Sequence, residues 1–282
     1  MITELAARWG TWRTILGISV AERLVYRGDF IIGTLMRFLP IVTQILLWTA
    51  IFDASQQRQL FGYQRNELIA YYLLTMITRA FSSMPGLASG IARSIRDGSV
   101  KKFLTQPVDW IGFLFVSRVA HKLVYYAVAT LPFVLVFWLC RDFFPPLPDA
   151  TTWCAFLASL LMSFVLGFFL EATIGMIGFW FLEVSSLLFI YMLFSFFLSG
   201  HMFPISMLDG VAVGGGWSVG DLVRGLPLQY LAYFPAAVFL GKIQGAALWQ
   251  GLLIQAAWTV LFMVLCRIAY NRGVRRYSAY GG

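Results

Sequence analysis

Apolar residues run through the chain in long blocks rather than alternating with polar ones. A hydrocarbon core of about 30 Å needs about 20 helical residues to cross it. Six blocks meet that length, at about 30–52, 68–87, 116–140, 152–175, 184–203 and 247–268. The apolar run over 151–207 is enough for two spans and too much for one, so a break is placed near Gly175–Gly178. Ahead of the first block, Leu5, Trp9, Trp12, Leu16 and Val20 recur at steps of four, three, four and four, which is one face of a helix. Arg8, Arg13, Arg23 and Arg27 are among its polar neighbours. Residues 1–28 are therefore expected to form an amphipathic helix in the membrane interface, with its tryptophans at headgroup depth. The plainer alternative is a soluble helix packed on a partner.

Between the fifth and sixth blocks, residues 204–246 carry Gly214-Gly215-Gly216, Leu226-Pro227 and the apolar stretch from Phe234 to Gly241. That stretch is too apolar for a solvated loop and too short and proline-broken to cross. It reads as a re-entrant or interfacial helical pair, tolerated only where protein or a cavity covers its backbone. The expected fold is an all-α polytopic membrane protein of residues 29–282, preceded by the interfacial helix.

Composition supports this. Of 282 residues, 60% are hydrophobic and only 12% charged, about half the charged share of an ordinary soluble domain. Three cysteines make no disulfide framework, and 26 Phe with 10 Trp exclude disorder. The net charge is +8, which in a soluble protein would suggest nucleic acid. No basic helix or aromatic stacking platform accompanies it, so no nucleic-acid partner is expected. Basic residues instead sort by side of the membrane. Fourteen fall with the N-terminus, the second-to-third connection and the C-terminal tail, against five on the opposite side. That asymmetry puts both termini in the cytoplasm. Four arginines within residues 1–28 are too many for the apolar core of a cleavable signal.

Catalytic chemistry has no cast. There is no Gly-x-x-x-x-Gly-Lys-Ser/Thr phosphate loop, no His-Glu-x-x-His and no cysteine pair at metal spacing. His121 and His201 fall on opposite sides of the membrane by this topology. No catalytic residue, metal site or cofactor is expected in the chain. Arg37, Arg79 and Glu171 lie inside spans, where charges are functional candidates by default. They suit either a polar relay gating a cavity or an Arg–Glu pair holding helices together. Cys140 and Cys154 flank the Pro145-Pro146 loop near the outer face; they could pair in an oxidising compartment or be small buried hydrophobes.

The basic connection after the second block carries Ile91, Arg93, Ile95, Arg96, Asp97, Gly98, Lys101, Lys102, Phe103 and Leu104, with Pro107 stopping it. This is a charged helix–Gly–helix pattern with apolar anchors at Ile91, Ile95, Phe103 and Leu104, suited to docking into a groove on a soluble partner. The chain resembles the membrane subunits of type-2 ATP-binding-cassette (ABC) exporters, in the branch with separate permease and ATPase polypeptides. The motifs are Ile95-Arg96-Asp97-Gly98-Ser99, Phe103-Leu104-Thr105-Gln106-Pro107-Val108, Gly178-Phe179-Trp180, Ser199-Gly200-His201-Met202-Phe203-Pro204, Leu226-Pro227 and Phe234-Pro235. Their order, more than any one of them, carries the likeness.

The resemblance implies a permease of the bacterial cytoplasmic (inner) membrane that is not itself an enzyme. It implies a coupling helix at about 91–104, two ABC ATPase subunits below it that hold the ATP and Mg, and a second permease, the same or a related chain. It also implies that the second and fifth spans tilt across the dimer axis. Thr75, Tyr191, Phe194 and Ser195 are then the candidates for lining the translocation path. The aromatic fifth span would suit an amphipathic or lipid-linked cargo, although aromatic stripes in membrane helices also serve packing. The rival readings are an ion-driven secondary transporter or channel, which usually carries paired half-repeats, and a membrane-embedded lipid-modifying enzyme.

Overall fold

In the computed structural model of the protein, residues 2–25, 27–181 and 183–277 are described, and for 2–8, 27–31, 34, 35 and 37 only their place in a helix. The described chain is mostly helical. Its helices are α1 (Ile2–Leu24), α2 (Arg27–Ser55), α3 (Arg65–Ser82), α4 (Leu87–Arg96), α5 (Lys101–Leu104) and α6 (Trp110–Leu139). After these come α7 (Ala150–Met176), α8 (Ser185–Leu198), α9 (Val219–Arg224), α10 (Tyr233–Phe239) and α11 (Gly245–Arg276).

Among the described residues, four segments are long and apolar enough to cross a membrane: Phe38–Ser55 in α2, Trp110–Leu139, Ala150–Phe179 and Gly245–Arg276. The blocks expected at 68–87 and 184–203 are occupied by shorter helices. α3 has 18 residues, among them Arg65, Glu67 and Arg79, and α8 has 14. At 1.5 Å per residue these rise about 27 and about 21 Å. The block expected to start at 116 starts as a helix at Trp110, because the Asp109 carboxylate caps it by accepting the Gly112 N–H at 2.8 Å.

The chain divides into two compact units. The first comprises Met1–Thr43 and Val100–Arg141. Here α1 packs along α6, with Trp12, Leu16 and Val20 half-buried while Trp9 is 75% exposed. The apolar stripe of α1 thus packs on its own chain and leaves Trp9 exposed; the side chains of Leu5, Arg8 and Arg27 lie outside the described residues. Phe38 meets Phe133 edge-on at 5.4 Å.

The second unit comprises Gln44–Ser99 and Asp142–Gly282 and is organised around α7, which packs against α3, α4, α10 and α11. Trp153, Phe156 and Phe239 form an edge-to-face cluster with centroids 5.0–6.0 Å apart. Several polar side chains inside this core are paired. Gln255 on α11 donates to the Ser159 carbonyl at 3.0 Å and accepts from the Ser159 hydroxyl at 2.9 Å. Ser163 lies 2.6 Å from the Tyr230 carbonyl. Such interhelical bonds replace the water that an apolar setting withholds.

Residues 204–246 hold α9, α10, 3₁₀ turns at Ile205–Leu208 and Pro227–Leu231, and a two-stranded hairpin, β1 (Ala212–Gly214) with β2 (Trp217–Ser218). Every residue of α10 is buried, packed on α7 and α3, so protein covers its backbone. The hairpin was not anticipated from the sequence. It turns into α9 through a capping box between Ser218 and Asp221. The Ser218 backbone N–H and hydroxyl hold the Asp221 carboxyl below its usual range. Arg224 bridges Asp209 at 2.6 Å and Asp221 at 3.2 Å.

Candidate functional site

The connection that follows α3 is built from two short helices. In α4, Leu87, Ala88, Ile91 and Ile95 recur at helical spacing and are buried. They face α7 and the 3₁₀ turn Ile177–Phe179 that follows it. Gly175 and Gly178 let the two backbones approach. A Cβ at 175 would stand 2.9 Å from the Ala88 carbonyl oxygen and the Ile91 side chain, and one at 178 would stand 3.1 Å from the Ala92 Cα. The helix stops at Asp97, and Gly98 takes the left-handed conformation (φ +75°) that ends it.

The far end of α4 is held from the C-terminal tail. The Tyr277 hydroxyl donates to the Ile95 carbonyl at 3.1 Å, and its ring meets Phe179 edge-on at 5.8 Å. At the entry to α8, the Glu183 carboxylate accepts the Ser185 N–H at 2.8 Å. The Ser185 hydrogen bonds hold that carboxyl below its usual range, with Arg96 adding a smaller electrostatic contribution. Replacing Tyr277 with Phe removes one hydrogen bond worth about 1 kcal/mol. Hydrogen exchange is expected to run about fivefold faster at the amides of residues 95–98 and unchanged in α7. Equal rates in the two proteins would show that the tail does not steady α4.

Of the residues expected to meet a partner, Ile91 and Ile95 are therefore turned into the chain's own interior and are not presented at a surface. The apolar face of α4 is covered by α7. Arg93, Arg96, Asp97, Lys101 and Lys102 are exposed, with Arg96 and Asp97 3.7 Å apart. In α5, Phe103 is half-buried against Trp110 at 6.1 Å and Phe113 at 5.0 Å, and Lys102 lies over its ring at 5.2 Å. Leu104 is 41% exposed, the apolar side chain of the connection most open to a partner.

The interior charges converge in part. Arg79, in the last turn of α3, lies within electrostatic reach of Tyr191 on α8 and Glu171 on α7. Glu171 also accepts the Met84 backbone N–H at 3.3 Å, tying α7 to the turn between α3 and α4. The Arg37 side chain lies outside the described residues. Of the four path candidates, Tyr191 and Ser195 interact with each other. Thr75 is buried and donates to its own helix at the Tyr72 carbonyl, 2.9 Å away, while Phe194 faces outward. The buried Ser199 Oγ and His201 Nδ1, which sequence reasoning did not single out as a pair, have no hydrogen-bond partner among the described residues. Cys140 is buried, Cys154 exposed, and both are free thiols.

A family model described as ABC-2 family transporter protein matches residues 38–281, leaving residues 1–37 and 282 outside it. No curated protein and no solved structure matches the chain.

Proposed function

The chain belongs to the ABC-2 family of transporter proteins, and within that family we propose that it is the membrane-spanning permease subunit of an ATP-driven exporter whose ATPase is a separate polypeptide. The observation that carries this reading is the extent of the family match, 38–281, over a chain with four membrane-length apolar helices. In this reading α2, α3, α6, α7, α8 and α11 are the six spans, and both termini face the cytoplasm of a bacterial inner membrane. Two ATPase subunits bind ATP and Mg beneath the connection that contains α4 and α5.

A permease moves cargo only if a partner shifts its two-state equilibrium by differential affinity. The exposed residues of the connection, Arg93 and Arg96 in α4 and Lys101, Lys102 and Leu104 in α5, are where that partner would grip. α8 supports a second permease chain, copied or related, because only Ser195 of its 14 residues is buried within this one.

The test is ATP hydrolysis in vesicles. The purified chain alone should hydrolyse no ATP above lipid background. Co-reconstituted with an ABC ATPase recovered from the same membrane, the chain should change that ATPase's rate several-fold. Hydrolysis by the chain alone, or a partner rate indifferent to the chain, would refute the reading and favour an ion-driven transporter.

A further inference from the structure

Between α2 and α3 lies an open cleft of about 990 Å³ lined by Phe52, Asp53, residues 56–59 and Gln64, Arg65 and Asn66. On the topology given by the charge tally, the 53–65 connection is extracytoplasmic. Its composition is unlike that of the rest of the molecule. Five of the chain's twelve side-chain carboxamides fall within residues 56–66. Within the described residues, no hydrogen bond of this chain engages the side chains of Gln56, Gln57, Gln59 or Asn66.

Hydrogen bonds and a tight turn frame these groups. Leu60 and Tyr63 exchange both backbone hydrogen bonds, at 2.9 and 3.0 Å, across Phe61 (φ +54°) and Gly62 (φ +82°), a turn of the tight hairpin kind. Lys242 fastens that turn to the body of the unit. Its ammonium reaches Glu67 at 2.8 Å and the Gly62 carbonyl at 3.0 Å, and lies 4.9 Å from the Tyr63 ring centre. The Glu67 carboxylate in turn accepts the Gln64 N–H at 2.8 Å, which fixes the start of α3. At the end of α2, Gln56 adopts φ +52°, a left-handed conformation uncommon for any residue but glycine. A loop needed only for connection gains nothing from being pinned at both ends. A binding site does, because preorganisation removes the ordering cost of capture.

The chemistry selects the ligand. A carboxamide offers two N–H donors and a carbonyl acceptor on one plane, which matches a hydroxyl that both donates and accepts. Asp53 and Arg65 sit 3.7 Å apart and offset each other, leaving Arg58 as the cation of the lining. The volume is at the upper end of small-molecule sites, about 300–1,000 Å³, but such sites are usually apolar. An open, amide-rich cleft with a guanidinium, Arg58, that has no ion-pair partner among the described residues fits a polar ligand. We infer that this cleft binds a glycosyl group bearing an anionic substituent, its hydroxyls held by the carboxamides of Gln57, Gln59 and Asn66 and its charge by Arg58. The inference does not depend on the exporter reading.

Binding is measured on the full-length chain in lipid nanodiscs by equilibrium dialysis with three probes: tri-galacturonic acid, maltotriose and inorganic phosphate. The acidic trisaccharide should bind saturably, maltotriose more weakly, and phosphate should not displace either. The triple variant Gln57→Ala/Gln59→Ala/Asn66→Ala should weaken both sugars about tenfold or more. Arg58→Ala should instead abolish the preference for the acidic sugar and leave maltotriose unchanged. Should the triple variant fail to fold, Gln57→Ala and Gln59→Ala singly carry the same expectation at smaller size. Absence of saturable sugar binding, displacement by phosphate alone, or unchanged binding in the carboxamide variants would each overturn the assignment.

Discussion

Gly167→Ala should leave a chain that does not hold its native packing, although it changes one hydrogen into one methyl. A Cβ at 167 would overlap the backbone carbonyl oxygen of Ser82, at the end of α3. That obstacle is main chain at the helix terminus and cannot swing aside as a side chain could. Both helices are anchored elsewhere, α7 through α11 and α10 and α3 through α10, so separating them opens the core. Overpacking of this kind costs about 1–3 kcal/mol, occasionally more, and the fixed obstacle puts Gly167 at the top of that range. Gly90→Ala in α4 is the matched control. Nothing lies within 4 Å of its Cβ position, and the same substitution in an open helix gains up to about 1 kcal/mol.

The cysteines report the difference. Cys154 is exposed while Cys140 and Cys266 are buried. Fast thiol labelling in detergent should modify only Cys154 in the wild type and in Gly90→Ala, and all of the cysteines in Gly167→Ala. Comparing labelling before and after reduction also tests whether Cys140 and Cys154 pair in the cell. Wild-type labelling of Gly167→Ala would mean that α3 and α7 do not approach as described.

Leu104→Asp should have the opposite character, an intact permease that no longer engages its ATPase. Phe103 and Leu104 are adjacent in sequence, but they differ in what surrounds them. Phe103 packs on Trp110 and Phe113, so an aspartate there would damage the chain itself. Leu104 is 41% exposed, so its replacement disturbs internal packing less. If it fills a pocket on the ATPase, loss of such an anchor costs at least about 2 kcal/mol, or about 30-fold in Kd. Lys101→Ala at the charged rim should change the association rate and its salt dependence more than the affinity. Thiol labelling like the wild type's, together with lost ATPase binding, distinguishes Leu104→Asp from simple unfolding.

The sequence made the long helices legible because membrane-length apolar runs admit few alternatives. α2, α6, α7 and α11 occupy four of the six expected blocks, with ends displaced where caps rather than hydropathy decide. Asp109 starts α6 six residues before the apolar run, and the helix of α11 continues to Arg276 beyond the apolar limit. The β1–β2 hairpin escaped notice because three- and two-residue strands around a glycine tip carry no alternation to read. The direction of the α4 face was equally hidden. Periodicity at Ile91 and Ile95 shows that a face is apolar and not which neighbour covers it; the close approach of Gly175 and Gly178 supplies that answer. Tyr277 has no local signal at all, since its role depends on a carbonyl 182 positions away.

The most direct test of the exporter reading is recovery of the chain from its native membrane, as wild type and as Leu104→Asp, with the co-purifying proteins identified. Wild type is expected to bring an ABC ATPase and either one permease or two different ones, and Leu104→Asp is expected to lose the ATPase while keeping its permease partner. Recovery of folded wild-type chain without any ATPase would contradict the account.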